Sequence, residues 1–503
     1  MPTKNREVYL TKRLAPSLRQ DLNLARFTTV LVQLAISCLC LLFTSQLFSQ
    51  NPSNSSPPNI VMIFIDDMGW GDLGCYGNPD IKTPNIDALA ERGIRFEQFY
   101  VASPICSPSR VAVTTGQFPA RHRINSYLNS RARNTARGMV NFLDPSVPAI
   151  ARTFQEAGYA TAHFGKWHMG GGRDVDDAPL PQAYGFTESL VSFEGLGDRI
   201  LQANNHGLSA QSAKLGQGTI TYTEKHKNTE TYVNRSLDFI ENNKNNSFYL
   251  HLWLNDVHDP FRPTQLQLNK FKAYAGNKYL QQYYAVMDEM DRQLGRLFDG
   301  ITSLNLAEKT ILVVCADNGP TAWPRYKREG FEAPGWTGGL RGRKWSLYEG
   351  GIREPLIVSW PGTIKAGQVD KTSVINAVDF FPTFCSLAGL KAPEVKWDGI
   401  DFKQALFEKP IKRKVPMYWE YGRSASYLRP AEIHDRSPVL AMRQDDWKLL
   451  MNADGSDLQL YKLSETRDEQ ENLATKHPRV TNSLSRKLMT WKDSLPNYPE
   501  AQD

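Results

Sequence analysis

Cysteine is scarce in this sequence of 503 residues, which holds six. Cys38 and Cys40 fall in an N-terminal leader, leaving Cys75, Cys106, Cys315 and Cys385 for the body. That is too sparse for a disulfide framework. Excess charge is scarce as well. The chain carries 59 basic and 53 acidic residues, and six of the basic ones but only Glu7 and Asp21 of the acidic ones precede Phe27. The body is therefore close to neutral, and bulk charge gives no case for nucleic-acid binding. No internal repeat is visible. Long apolar runs are missing except for Phe27 to Phe43, which is short of the roughly 20 residues a membrane span needs. What is present is ample apolar material: hydrophobic residues make up 41% and charged residues 22%. That balance supports a large core and excludes disorder of the whole chain.

The apolar run comes after a basic stretch, the pattern of an export signal. A Pro/Ser/Asn-rich linker, Asn51 to Asn59, detaches it from the body of the chain. No A-x-A pattern stands near Ser45 or Ser49, so the segment is expected either to be cleaved or to stay as an N-terminal anchor. Neither Cys38 nor Cys40 has leucine three residues before it, which weakens a lipoprotein reading. The expected organisation is residues 1–50 as signal or anchor, 51–58 as linker, 59–409 as an α/β domain and 410–503 as an α+β subdomain. The protein is expected outside the cytoplasm, periplasmic or extracellular.

Periodicity supports the division. Asn59 to Ile65, Tyr159 to Phe164, Phe248 to Leu254 and Thr310 to Cys315 are continuous apolar runs of strand length, suited to strands buried on both faces. Helix-like segments separate them, at Pro84 to Arg92, Val147 to Ala157, Glu230 to Asn242 and Leu280 to Phe298. Strands alternating with helices predict an α/β fold with a mostly parallel sheet. Beyond Pro410 come four short strand-like runs, Val415 to Tyr421, Val439 to Arg443, Trp447 to Met451 and Leu458 to Leu463, then a helix near Pro478 to Ser494. These predict a small antiparallel sheet with one helix. The aperiodic stretch from Trp323 to Trp345, rich in Gly, Arg and Trp, reads as an ordered functional loop.

Acidic residues stand directly after two apolar strands: Asp66 and Asp67 after the first, Asp317 and Asn318 after Leu312 to Ala316. Ligands collect at the carboxyl ends of parallel strands, and oxygen side chains there suit a hard cation such as Ca²⁺ or Mg²⁺. Each pair alone fits a turn or helix cap equally well. The sharpest local signal is Cys106-Ser-Pro-Ser-Arg110, with Thr115-Gly116 soon after. Pro108 suits a first helical turn, which puts Cys106 near a helix N-terminus where anions are favoured, with Arg110 as a cation one turn on.

Together these residues resemble the formylglycine-dependent (type I) sulfatases of the alkaline phosphatase superfamily, arylsulfatase-like in pattern. The resemblance runs through Asn59 to Asp72, Thr83 to Gly93, Cys106 to Arg110, Gly165-Lys-Trp-His168, and His258 in Asn255 to Pro260. It continues through Asp317-Asn-Gly319, Leu340 to Pro355 and the late Leu460-Tyr-Lys-Leu with Glu471-Asn-Leu473, covering nearly all of residues 59 to 475 in order. It implies a large mixed, mostly parallel sheet sandwiched by helices, with a smaller C-terminal antiparallel sheet plus helix. It further implies that a maturation enzyme oxidises Cys106 to formylglycine (3-oxoalanine), whose hydrate is the nucleophile. Asp66, Asp67, Asp317, Asn318 and residue 106 would hold one divalent cation, Ca²⁺ before Mg²⁺. Arg110, Lys166 and Lys344 would neutralise the sulfuryl oxygens. His258 would protonate the leaving oxygen, and His168 would act as base when sulfate is expelled. Lys166, His258 and Lys344 would touch the substrate, a sulfated sugar or an aryl sulfate.

Other residues carry plainer expectations. His163 and His251 read as core or sheet residues, and Cys315 and Cys385 as core. His122 reads as peripheral to the site, and Trp323 and Trp336 as loop anchors with a sugar-stacking alternative. Thr114 departs from the apolar residue usual in the family, and Arg343 and Trp345 are larger than usual, which is expected to narrow the pocket. Two competing readings stand: a phosphonate or phosphate ester hydrolase of the same superfamily, and a catalytically inactive sugar-binding relative. The sequence names neither the sugar nor the oligomeric state.

Overall fold

The structure is a computed structural model that describes residues 57–202, 207–407, 409–424 and 426–498. The leader, Cys38 and Cys40, and most of the linker lie outside the described residues. Among the described residues, eleven strands form one sheet and four form a second. The large sheet contains β1 (Asn59–Ile65), β2 (Ile94–Tyr100), β3 (Ala160–Lys166), β4 (Glu188–Ser192), β5 (Arg199–Gln202), β6 (Ile220–Thr223), β7 (Phe248–Leu254), β8 (Thr310–Ala316), β9 (Arg353–Ser359), β10 (Gln368–Asp370) and β11 (Ile375–Asn376). Its order is β10-β2-β9-β8-β1-β7-β3-β4-β5-β6, with β11 paired to β2. Every pairing is parallel except those of β9, which is antiparallel to both β2 and β8. This is the alkaline phosphatase-like α/β architecture that the resemblance implied.

The apolar runs occupy the centre because both faces of the sheet are covered. On β1, Ile60, Met62 and Phe64 enter one core while Val61, Ile63 and Ile65 enter the other. The second core is closed by α1 (Pro84–Glu91), α4 (Asn228–Asn242) and α5 (Lys278–Ser303), the first by α2 (Cys106–Thr115), α3 (Ile150–Glu156) and α6 (Phe380–Leu387). Period-2 alternation directs a strand's side chains to opposite faces, so a doubly covered strand must be apolar throughout.

Strands β2 and β9 escaped the reading from periodicity. The first reads Ile-Arg-Phe-Glu-Gln-Phe-Tyr, and the second opens Arg353-Glu-Pro. Pro355 is tolerated because the β2–β9 register shifts between Phe96 and Phe99, leaving the proline where the ladder is already interrupted. The short β4, β5 and β6 carried no apolar run.

The small sheet holds β12 (Met417–Glu420), β13 (Leu440–Gln444), β14 (Trp447–Met451) and β15 (Gln459–Lys462), all antiparallel. Helix α7 (Pro478–Asp493) packs on it through Leu484, Leu488 and Trp491. The same cluster includes Ala102, Ala112, Phe118 and Val378, so the small sheet shares a core with α2, and the described residues from Pro57 onward form one compact unit.

Candidate active site

Six segments converge at the carboxyl edge of the large sheet. β1 is followed by Asp66 and Asp67, β3 ends in Lys166, β7 leads to His258, and β8 leads to Asp317 and Asn318. β2 runs parallel to these and feeds the approach to α2, whose first residue is Cys106. β9 runs the other way, so the loop preceding it, with Lys344, arrives at the same edge. Two backbone bonds fix that loop: Lys344 N–H donates to the Pro320 carbonyl at 3.1 Å and Trp345 N–H to the Pro104 carbonyl at 2.9 Å. Gly319 lets it pack closely, since a Cβ there would lie 2.1 Å from the Gly350 carbonyl oxygen. Asp67, His168 and Trp345 hold left-handed backbone at φ 63°, 51° and 73°. For residues with side chains that conformation is uncommon and costs free energy.

The side chains interlock. Lys166 Nζ donates to Asp66 Oδ2 at 2.6 Å. Arg110 donates to Asp317 Oδ2 at 2.6 Å and lies 3.5 Å from Asp66 Oδ1. Lys344 Nζ donates to Asp67 Oδ1 and sits 3.6 Å from Cys106 Sγ. Asn318 Nδ2 donates to Asp67 Oδ1 at 2.8 Å, and Asp67 N–H to Asp317 Oδ1 at 3.1 Å. His258 Nε2 lies 3.7 Å from Asp67 Oδ2. One ligand atom from each of Asp66, Asp67, Cys106 and His258 falls within 4.8 Å of the others. The ten residues singled out from sequence, Asp66, Asp67, Cys106, Arg110, Lys166, His168, His258, Asp317, Asn318 and Lys344, are thus gathered at one edge, all buried except the half-buried His258.

Charge sorts the acids. Burial raises Asp66, but Lys166, His258, Arg110 and Lys344 overcome it and hold this carboxyl well below its ordinary value. Asp67 remains raised by burial despite Lys344, and Asp317 is pushed up to about 7 by burial and by repulsion from Asp66. Burial and the Asp66 charge push the Cys106 thiol up to about 12. A thiol held neutral in this way is a poor nucleophile. Burial also depresses His168 and His258 strongly.

The donor set fits a hard cation. Asp66 Oδ1, Asp67 Oδ2 and Asn318 Oδ1 are buried without a hydrogen-bond partner. Unpaired buried oxygens are costly, and Ca²⁺ or Mg²⁺ is bound by oxygens of this kind. Both Asp317 oxygens already accept hydrogen bonds, from Arg110 and from the Asp67 N–H.

The family model described as Sulfatase matches residues 58–390, and one described as N-sulphoglucosamine sulphohydrolase, C-terminal, matches residues 341–494. The chain belongs to the sulfatase family. It is 32% identical to an N-acetylgalactosamine-6-sulfatase of Sus scrofa, over 72% of this chain and 68% of that one. It is 28% identical to an N-acetylgalactosamine-6-O-sulfatase of Bacteroides thetaiotaomicron, over 93% and 99%. The solved structure of Ps i-CgsB in complex with k-i-k-neocarrahexaose superposes with a TM-score of 0.72 at 25% identity, covering 88% of this chain and 95% of that one. As a member of this family within the alkaline phosphatase superfamily, the sulfatase is a sulfuric ester hydrolase.

The other residues singled out from sequence find plainer places in the sulfatase. His163 and His251 are buried among aromatic rings, with His251 stacked on Trp253 at 4.5 Å. His122 answers electrostatically to Asp398, Arg121 and Asp144, none of them in the site. Thr114 donates to the Met169 sulfur at 3.4 Å, a packing role. Arg343 does not point at Cys106 but donates to the carbonyls of Thr321 and Pro334, and Trp345 is buried edge-on against Trp323 at 4.7 Å. The expected narrowing of the pocket by these two gives way to a role in bracing the loop. Trp336 remains 38% exposed over the Gly69–Gly71 turn, open to a ligand. Sequence reading missed Phe193, whose ring lies 4.9 Å from Lys166 Nζ and 4.7 Å from the His168 ring. No motif marks it; only the fold brings the end of β4 over the site.

Proposed function

We propose that this sulfatase removes sulfate from sulfated sugars, using formylglycine made from Cys106 and a divalent cation, Ca²⁺, held by Asp66, Asp67, Asn318 and Asp317. The observation that carries the reading is the set of unpaired carboxylate and amide oxygens facing a cysteine at a helix N-terminus, ringed by Arg110, Lys166 and Lys344. The depressed reactivity of the thiol supports conversion of Cys106 by a maturation enzyme. Bound metal and the formylglycine hydrate together supply a neutralising charge and an oxygen nucleophile with a second hydroxyl through which sulfate can be released. The protein's own groups do the rest. Arg110, Lys166 and Lys344 offset charge that builds on the sulfuryl oxygens. His258 presents Nε2 to the site. With Nδ1–H donated to the Asp259 carbonyl, Nε2 carries a proton only in the imidazolium, the form that the Asp66 carboxylate favours against burial. In that form it delivers a proton to the leaving sugar oxygen. His168, whose buried Nδ1 has no partner, accepts a proton as sulfate departs.

The relatives named for N-acetylgalactosamine 6-sulfate support a 6-sulfated hexosamine as the first substrate to test. The basic and apolar leader supports export, with or without retention as an anchor. The test is sulfate release from N-acetylgalactosamine 6-sulfate by matured protein, beside phosphate release from the matching phosphate ester. A kcat/KM favouring sulfate is expected. A preference for the phosphate ester would shift the reading to the phosphonate and phosphate hydrolases, and no turnover of either would favour an inactive sugar binder.

A further inference from the structure

The turn that carries His258 is held by charged groups outside the catalytic cluster. Lys225 sits in the short turn between β6 and α4, and its ammonium donates to the carbonyl oxygens of His258 and, at 2.9 Å, Pro260. The side chain of Asp259, between those two, is held from elsewhere: its carboxylate accepts from the guanidinium of Arg325 and the hydroxyl of Tyr326, both on the short helix Pro324–Arg328. The remaining group of the turn, the Asp259 carbonyl, lies 2.6 Å from His258 Nδ1. A carbonyl only accepts, so Nδ1 must carry a proton there. That bond commits one face of the imidazole to the backbone and leaves Nε2 as the atom that meets the site, 3.7 Å from Asp67 Oδ2. The direction of Nε2 is therefore set by where the backbone of residues 258–260 lies, and Lys225 fixes that backbone at two points.

We infer that Lys225 is a positioning residue for the leaving-group acid, holding the His258 turn so that Nε2 meets the departing oxygen. The inference rests on His258 being that acid. Misplacing a catalytic group by about 1 Å can cost on the order of 10²-fold, and an acid matters most when the leaving oxygen is strongly basic, as a sugar alkoxide is and a nitrophenolate is not. Loss of the Lys225 clamp should therefore depend on the leaving group. A lysine that merely caps two carbonyls for stability would affect all substrates alike.

The experiment compares matured wild type, Lys225→Met, His258→Ala and the double variant on N-acetylgalactosamine 6-sulfate and on nitrophenyl sulfate, with thermal unfolding as the check on folding. Lys225→Met is expected to lower kcat on the sugar sulfate about 10-fold or more beyond its effect on the aryl sulfate. Lys225→Arg should recover part of the difference. In the His258→Ala background, Lys225→Met should add no further leaving-group discrimination. Equal losses on both esters, or full additivity in the double variant, would overturn the inference while leaving the sulfatase reading intact. Should Lys225→Met fail to fold, Tyr326→Phe removes a single hydroxyl from Asp259 and carries the same ratio test. No sulfate release by wild type from either ester would sink the reading of the site, and this inference with it.

Discussion

Lys344 and Lys448 are both buried lysines beside carboxylates, one at the edge of the large sheet and one in the small sheet, yet their surroundings differ in completeness. Lys448 Nζ lies 2.9 Å from Glu349 Oε1 and 2.9 Å from Glu469 Oε1. The other Glu349 oxygen accepts from the Tyr100 hydroxyl at 2.6 Å, and the other Glu469 oxygen from the Glu349 N–H at 2.6 Å. Three of these four carboxylate oxygens accept a hydrogen bond, and the fourth, Glu469 Oε1, makes none but has the Lys448 ammonium 2.9 Å away. Burial raises Glu349, but Lys448, Arg353 and Arg443 more than offset it and hold the carboxyl at about 2. Around Lys344 the same residue types leave Asp66 Oδ1, Asp67 Oδ2 and Asn318 Oδ1 unpaired. A closed cluster is finished by the chain itself; an open one, equally buried, has capacity for something the chain does not supply. The two are also joined, because Glu349 lies five residues beyond Lys344 on the loop that brings it to Cys106. The closed cluster anchors one end of the open one.

The contrast breaks most sharply at Cys106. Cys106→Ala should abolish turnover, by roughly 10⁵-fold or more, while the unfolding midpoint moves little. Mass spectrometry of the peptide across residues 100–110 should show a residue lighter than cysteine in active protein. Full activity with an intact thiol would remove the formylglycine from the account.

Next in size is the open cluster itself. Asp317→Ala should lower kcat/KM by about 10²–10³-fold and reduce bound calcium measured by elemental analysis. Chelation of wild type should reproduce the loss, with Ca²⁺ restoring it. A metal-free protein that keeps its rate would show that the unpaired oxygens serve another purpose.

The closed cluster should answer in stability. Lys448→Met leaves Glu469 buried without its cation and Glu349 with only its arginine neighbours, Arg353 at 3.4 Å among them, a change that typically costs about 3–5 kcal/mol, read by denaturant unfolding. Adding Glu469→Gln should recover part of it. A loss under about 1 kcal/mol would mean that the cluster does not anchor the loop.

The smallest effect concerns Glu194, whose carboxyl pairs with Arg173 at 2.9 Å beside the open cluster. Burial pushes this acid up from 4.5 to about 7 against the pull of Arg173. Between those values the folded form keeps a proton that the unfolded form has lost. Stability should therefore fall as pH rises through that window, by about 1–3 kcal/mol at most. Glu194→Gln should flatten the slope of unfolding free energy measured from about pH 5 to about pH 7.5. An unchanged slope would place the titration elsewhere.

Much of this was legible in the residues. The continuous apolar runs of β1, β7 and β8 announce strands covered on both faces, because no exposed strand can be apolar on every side chain. Asp66, Asp67, Asp317 and Asn318 stand directly after two of those strands, so their place at the sheet edge is set by chain order once the strands are parallel. The Cys106-Ser-Pro-Ser-Arg110 segment carries its own helix start. What chain order could not decide was anything that depends on a reversal or a long-range approach. β9 opens with charged residues and a proline, and only its antiparallel insertion between β2 and β8 turns the Lys344 loop back to the catalytic edge. Phe193 over Lys166, and Lys225 under the His258 turn, come from short segments with no periodic signal, since a residue placed by its neighbours' packing leaves no pattern in its own stretch of chain. Composition and spacing name the groups that do chemistry because those groups need particular atoms. The groups that aim them need only a position in space, and that position exists only after the chain has folded.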